Sequence, residues 1–148
     1  RRFASLFTQN PVHVSSRLLH TLDVTGRQLH LSAGLPAVEI VAALQKFRPT
    51  SLGGYPSVMD VLAKAQLDGE LDIAPRAVAA TGEALPADFR DRVAEAWQSE
   101  VFDTYGATET GAIAGECHAH TGMHVEEDNV IVEVVDDQHR VLPAVVFF

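Results

Sequence analysis

The sequence predicts an α/β protein: a mostly parallel sheet flanked by helices, followed by a β-rich C-terminal part. Amphipathic segments with apolar residues three and four apart alternate with short apolar runs. Alternation at this spacing implies right-handed crossovers between parallel strands. After Glu109 the helical period stops, and short apolar runs separated by turns take over.

Residues 28–31 are the first strand candidate. Residues 36–47 read as a helix with Ala37, Ile40, Val41, Leu44 and Phe47 facing inward; Pro36 suits its first turn and Pro49 stops it. A strand at 50–52 leads to a helix over 56–67 that turns Val58, Val61, Leu62 and Ala65 inward, with Gly69 as its C-cap. A strand at 76–80 precedes a helix over 86–98 with Phe89, Val93, Ala96 and Trp97 on one face, and a strand at 100–104 follows. Beyond Glu109, residues 113–116, 124–126 and 130–135 read as strands, and Asp136-Asp137-Gln138-His139 as a reversal before Val141. No repeat or long linker divides the chain. It reads as a single segment, 1–148, with a lead-in over 1–27, a βαβ half over 28–110 and a β-rich part over 111–148.

Composition narrows the function. The chain has 148 residues and 47% hydrophobic content, enough for one core. A net charge of −9 and a pI near 5.1 exclude a nucleic-acid surface, which needs a basic stripe. The apolar runs are too short to span a bilayer, and Arg1-Arg2-Phe3-Ala4-Ser5-Leu6-Phe7 runs into polar residues rather than a secretory core. Cys117 is the only cysteine, so an internal disulfide is excluded and a reducing compartment fits. The expectation is an acidic cytoplasmic protein whose partners are small molecules, with no nucleic acid and no membrane.

Two loops carry candidate chemistry. In open parallel sheets ligands bind beyond the carboxyl ends of the strands, and both Thr81-Gly82-Glu83-Ala84-Leu85-Pro86 and Tyr105-Gly106-Ala107-Thr108-Glu109-Thr110 follow strand candidates there. The second reads as a strand end, a glycine turn, and a hydroxyl beside a carboxylate. Gly106 lets backbone approach closely and Tyr105 offers a flat ring to a base. Thr108 can donate to a phosphate oxygen, and Glu109 can face a magnesium ion. Their equivalent placement predicts that the two loops sit side by side on one rim. Gly53-Gly54-Tyr55-Pro56-Ser57 is not a phosphate loop, for it lacks the lysine, and not a nucleophile elbow.

Gly82-Glu83-Ala84-Leu85-Pro86 followed by Tyr105-Gly106-Ala107-Thr108-Glu109 resembles the adenine-binding pair of the adenylate-forming superfamily, the acyl-CoA ligases and adenylation domains. Gly115-Glu116-Cys117, the run Gly122-Met123-His124-Val125-Glu126-Glu127-Asp128 and the stretch 130–134 are similar to the phenylacetate-CoA ligase branch, which includes coenzyme F390 synthetase-like proteins. Gly54-Tyr55-Pro56-Ser57 and Gln66-Leu67-Asp68-Gly69-Glu70-Leu71 resemble that branch too, so the likeness spans roughly 28–142.

The resemblance implies part of the large AMP-binding domain of an ATP-dependent, AMP-forming acid ligase, with ATP and Mg²⁺ as cofactors and CoA used by the parent enzyme. It implies that the backbone of Gly82, Glu83 and Ala84 walls one side of an adenine slot and Tyr105 stacks on the other. Thr108 then contacts the α-phosphate, Glu109 helps to place Mg²⁺, and Tyr55, Gly106 and Ala107 lie near the acyl pocket. The acid is a small-molecule carboxylate, for which an aryl acid such as phenylacetate is the family's example. The superfamily's Ser/Thr/Gly-rich phosphate loop, its Tyr-Arg-Thr-Gly-Asp-like segment and its lysine-bearing C-terminal domain have no counterpart in this sequence. The expectation is therefore an internal fragment, inactive as a ligase by itself, with homodimerisation left open.

Two alternatives stand beside it. One is a non-catalytic nucleotide-binding module. The other is a metal-stabilised module in which Cys117, His118, His120 and His124 hold Zn²⁺. Their spacing matches no standard finger, and on a strand Cys117 and His118 point to opposite faces. Glu126-Glu127-Asp128 reads as a solvated acidic turn, with Glu126 or Asp128 as an alternative buttress of the rim.

Overall fold

Strand–helix alternation resolves into one seven-stranded sheet with three helices among the residues described, 1–8 and 26–142 of a computed structural model. In chain order the elements are β1 (Phe3–Phe7), β2 (Gln28–Ser32), α1 (Ala37–Phe47), β3 (Ser51–Gly54), α2 (Pro56–Leu67), β4 (Ala77–Thr81), α3 (Phe89–Trp97), β5 (Glu100–Ala107), β6 (Gly111–Glu116) and β7 (Met123–Val125). The strand order is β2-β1-β3-β4-β5-β6-β7. Pairing is parallel from β2 to β5 and antiparallel for β6 and β7. This is the predicted fold class, a mostly parallel sheet with a β-rich end.

The connections β2–α1–β3, β3–α2–β4 and β4–α3–β5 all step in one direction, so right-handed crossovers place the three helices on one face. Between that face and the sheet lies the core: Leu6, Leu44, Leu52, Met59, Leu62, Val78, Phe89 and Val93 are essentially buried. The step from β1 to β2 runs the other way, so the strand order reverses at the β1/β3 pair. Ligands of doubly wound sheets favour such a crevice.

Local chemistry sets the helix ends. Pro56 occupies the first position of α2, where a missing N–H costs nothing. The far end of α2 is a Schellman motif: Glu70 N–H donates to the Ala65 carbonyl at 2.8 Å and Gly69 N–H to the Gln66 carbonyl at 3.2 Å. The Gln66 side chain then accepts from the Ile73 amide and the Trp97 indole, each at 3.0 Å, tying the following loop to α3. Asp60 on α2 pairs with Lys64 at 2.7 Å and with Arg92 on α3.

Four features differ from the expectations. The strand β1 lies within the lead-in, where no element was assigned, yet it sits between β2 and β3. The helix α3 starts at Phe89 rather than at residue 86, because the preceding residues close a turn in which Phe89 N–H donates to the Pro86 carbonyl at 3.1 Å. Residues 130–135 do not form a strand; a single bridge joins Val135 to Val141 across the expected reversal at 136–139. Ile131 is left 93% exposed and Val132 51%. The inner face of α2 is also rotated. Met59, Leu62, Ala63 and Ala65 are buried, whereas Val61 is 49% exposed. Apolar residues at 58, 59, 61, 62, 63 and 65 surround most of that helix, so spacing alone could not choose the face.

This rotation yields a ranking. Met59→Ala is expected to cost about 2–5 kcal/mol by opening a cavity, and Val61→Ala less than about 0.5 kcal/mol. Urea unfolding of the two variants measures both, and the reverse order would put Val61 in the core.

Candidate nucleotide site

Parallel register brings the strand exits to one rim. Leu6 pairs with Gly54, Gly54 with Ala80, Ala80 with Asp103 and Thr81 with Thr104. The residues just beyond these pairs are Thr8, Tyr55, Gly82 and Tyr105. Thr104 fixes the spacing further, its hydroxyl donating to the Ala80 carbonyl at 3.0 Å. The two loops singled out by the sequence are therefore neighbours.

The Gly82 loop packs on Tyr55. Gly82 has φ +81, and a Cβ there would sit 2.8 Å from the Tyr55 ring, so both its conformation and its contact exclude other residues. Tyr55 meets Phe7 edge-on, with ring centroids 5.5 Å apart, and its hydroxyl donates to Thr8 Oγ1 at 3.4 Å. The Glu83 carboxylate accepts from the Ser57 amide and hydroxyl, both at 2.9 Å, so this side chain faces the first turn of α2. Gly82, Glu83 and Ala84 are exposed along the rim.

Tyr105 to Thr110 is the tip of a hairpin, not a loop leaving a strand end. β5 continues past the rim to Ala107, and Thr108, Glu109 and Thr110 make the turn into β6. Gly111, with φ +79, supplies the turn conformation. Gly106 stays in the ladder, where a Cβ would lie 2.7 Å from the Gly111 carbonyl oxygen, so its close approach is to the hairpin's own backbone. Register breaks between Tyr105, opposite Ala114, and Gly106, opposite Ala112, leaving Ile113 as a bulge. Tyr105 is 59% exposed, and Thr108 and Glu109 are exposed at the tip. β7 runs back antiparallel, so Glu126 returns toward the rim end of β6, its amide donating to the Ile113 carbonyl at 2.9 Å.

Below the rim, burial and then the charge of Glu116 push the Asp103 carboxyl above its usual range. Burial also acts on Glu116, but hydrogen bonds from Arg90, from the Asp103 amide and from His120 outweigh it and hold that carboxyl low. Arg90 binds both Glu116 oxygens, at 2.8 and 2.7 Å, and the Val101 carbonyl at 2.7 Å. Phe7 and Thr8 were not singled out, and Ser57 was weighed only as part of the run 53–57, not as a partner of Glu83. Their partners lie 26 to 48 residues away on other elements, and local pattern carries no trace of such pairings.

The cysteine–histidine cluster lies at the opposite edge of the sheet, where β6 ends beside the start of β5. His118 Nδ1 is 2.8 Å from Glu100, and His120 is 3.2 Å from both Glu100 and Glu116. Cys117 is held below the usual thiol range by the Ala119 amide and then by His124. The side chains thus diverge, Cys117 toward His124 and the other histidines toward Glu100. Among the described residues no group of three His, Cys, Asp or Glu is arranged to hold a metal ion, which removes the basis for the zinc alternative. None of the described helices is long and apolar enough to cross a membrane.

The profile of a family described as AMP-binding enzyme matches residues 9–145. The chain belongs to that family. Among solved structures, 2-hydroxyisobutyryl-CoA ligase in complex with 2-HIB-AMP and CoA is 21% identical, with a TM-score of 0.74 over 96% of this chain and 34% of that one. A benzoate CoA ligase from Burkholderia xenovorans LB400 is 22% identical, with a TM-score of 0.66 over 96% of this chain and 31% of that one. The anthranilate CoA ligase AuaEII in complex with anthranoyl-AMP is 20% identical, with a TM-score of 0.69 over 97% of this chain and 30% of that one. At these identities the likeness shows the fold, part of an adenylate-forming domain, and the chain spans about a third of each structure's length. No curated protein matches the sequence.

The His118–Glu100 pair gives stability a pH dependence. The hydrogen bond that His118 donates to Glu100, then the charge of that carboxylate, raises the His118 pKa in the fold. Its contribution is therefore complete below the ordinary value of 6.5 and is lost as pH rises through the raised one. Glu100, lowered chiefly by His118, contributes fully above its ordinary 4.5 and loses that contribution in acid. Because the pair is largely exposed, the urea midpoint should fall only slightly as pH rises past about 6.5, and His118→Asn should flatten that fall. An unchanged profile in the variant would remove the pair as its source.

Proposed function

We propose that this chain forms the nucleotide- and acid-binding rim of an ATP-dependent, AMP-forming carboxylic acid ligase of the phenylacetate-CoA ligase type. The observation that carries the reading is the Thr81–Thr104 register, which sets the Gly82 loop beside Tyr105 within a chain of this family. In the reaction, a carboxylate oxygen bonds to the α-phosphorus of ATP, the P–O bond to the β-phosphate breaks, and its electron pair leaves with pyrophosphate. Such a step asks the protein for alignment and charge neutralisation.

The exposed backbone of Gly82, Glu83 and Ala84 forms one wall of the adenine slot, and the Tyr105 ring forms the other. The Thr108 hydroxyl donates to an α-phosphate oxygen. Glu109, a single exposed carboxylate, fits Mg²⁺, which is bound by one or two carboxylates together with substrate phosphates rather than by an all-protein cage. Magnesium would supply charge neutralisation on those phosphates. Gly106 and Ala107 lead the hairpin toward the acyl side, where Tyr55, with Phe7 and Thr8, offers an apolar wall with a hydroxyl tip to an aryl acid. CoA is the acceptor this reading assigns to the complete enzyme, and residues 1–148 form one segment of its large domain.

Calorimetric titration with Mg-ATP tests the reading. Tyr105→Ala should weaken binding about tenfold through lost stacking, and Thr108→Ala about as much through a lost bond to a charged group. Heats unchanged in both variants would overturn the site assignment. Acid-dependent exchange of pyrophosphate into ATP separates a ligase from a nucleotide-binding module, which would bind and exchange nothing.

A further inference from the structure

The Glu83 side chain is used in a way that the backbone role of its loop does not require. Its carboxylate reaches across 26 residues to take the Ser57 amide and hydroxyl at 2.9 Å each. Tyr55 is the N-cap of α2, so Ser57 is its second residue. An amide at that position has no partner within the helix, and a carboxylate meets the positive end of the helix dipole there. On its other side the same loop presses on Tyr55, because Gly82 leaves no room for a Cβ against that ring. Tyr55 in turn touches Phe7 and Thr8. The exits of β1, β3 and β4 are thus joined side chain to side chain, whereas the hairpin tip joins β4 through the ladder and Thr104.

We infer that Glu83 is a positioning residue: by clasping Ser57 it makes the Gly82 loop and Tyr55 move as one body and so holds the loop where an adenine nucleotide is received. The inference rests on the proposed function for what is received, but not for the clasp itself. A carboxylate committed to the helix end orders the backbone that forms the slot. Ordering ahead of binding lowers the cost of binding.

The test uses the 148-residue chain, with nuclear magnetic resonance of wild type, Glu83→Ala, Ser57→Ala and Ser57→Thr. Glu83→Ala and Ser57→Ala should each speed exchange of the residue-57 amide about tenfold. Each should also shift Gly82, Ala84 and Tyr55 together while leaving the Trp97 indole in place. Ser57→Thr keeps both donors and should match wild type. The clasp is overturned if Gly82 and Tyr55 respond separately, or if Ser57→Thr behaves as Ser57→Ala. Titration with AMP supplies the second readout. Glu83→Ala should weaken AMP about tenfold while lowering the melting temperature by only about 2–6 °C, so that the variant stays folded during the titration. Equal AMP affinity in Glu83→Ala and wild type would overturn the positioning role. No response of wild type to AMP would sink the nucleotide reading instead, while the exchange data still decide the clasp.

Discussion

Parallel pairing of β1, β3, β4 and β5 is the constraint from which the rest of the molecule follows. In a parallel ladder every strand enters at one edge and leaves at the other, and the chain must cross back between strands, here through helices from β2 onward. Because three successive crossovers step in one direction, their helices share a face and their exits share a rim. Tyr55, the Gly82 loop and Tyr105 come from sequence positions up to fifty residues apart, yet they follow one another along that rim. The core is the other product of the same geometry, since Leu6, Leu52 and Val78 face the helices and Phe89 and Val93 cover them.

The two ends of the hairpin β5–β6 have different chemistry. Its root lies among Arg90, Glu116 and Glu100, where ionic hydrogen bonds tie both strands to α3. Its tip carries Thr108 and Glu109 into solvent. A rigid root under an exposed tip presents a hydroxyl and a carboxylate at a defined height above the sheet, and the bulge at Ile113 adds twist between the two.

Much of this was legible in the sequence because it is local. Pro36 and Pro49 bracket α1, and Pro56 and Gly69 bracket α2, each through a backbone restriction visible at the residue itself. The neighbouring placement of the two rim loops could also be read, since both follow strands of one parallel series. What escaped is non-local. Phe3–Phe7 is a five-residue run whose ladder partners begin 25 and 48 residues on, and nothing within it announces a central strand. Residues 130–135 show the opposite case: a strong strand pattern finds no ladder among the described residues. Glu83 was assigned through its backbone alone, because its partner Ser57 lies 26 residues earlier, in the first turn of a helix.

β7 is the last strand of the sheet, and among the described residues no strand pairs with its outer edge. An open strand edge is a template for intermolecular pairing, and a net charge of −9 at neutral pH makes copies of this chain repel one another. High ionic strength, which screens charge over about 3 Å at 1 M, or acidification toward the pI near 5.1, weakens that repulsion. Dilute, low-salt, mildly alkaline buffer is the regime in which repulsion between copies of this chain is strongest.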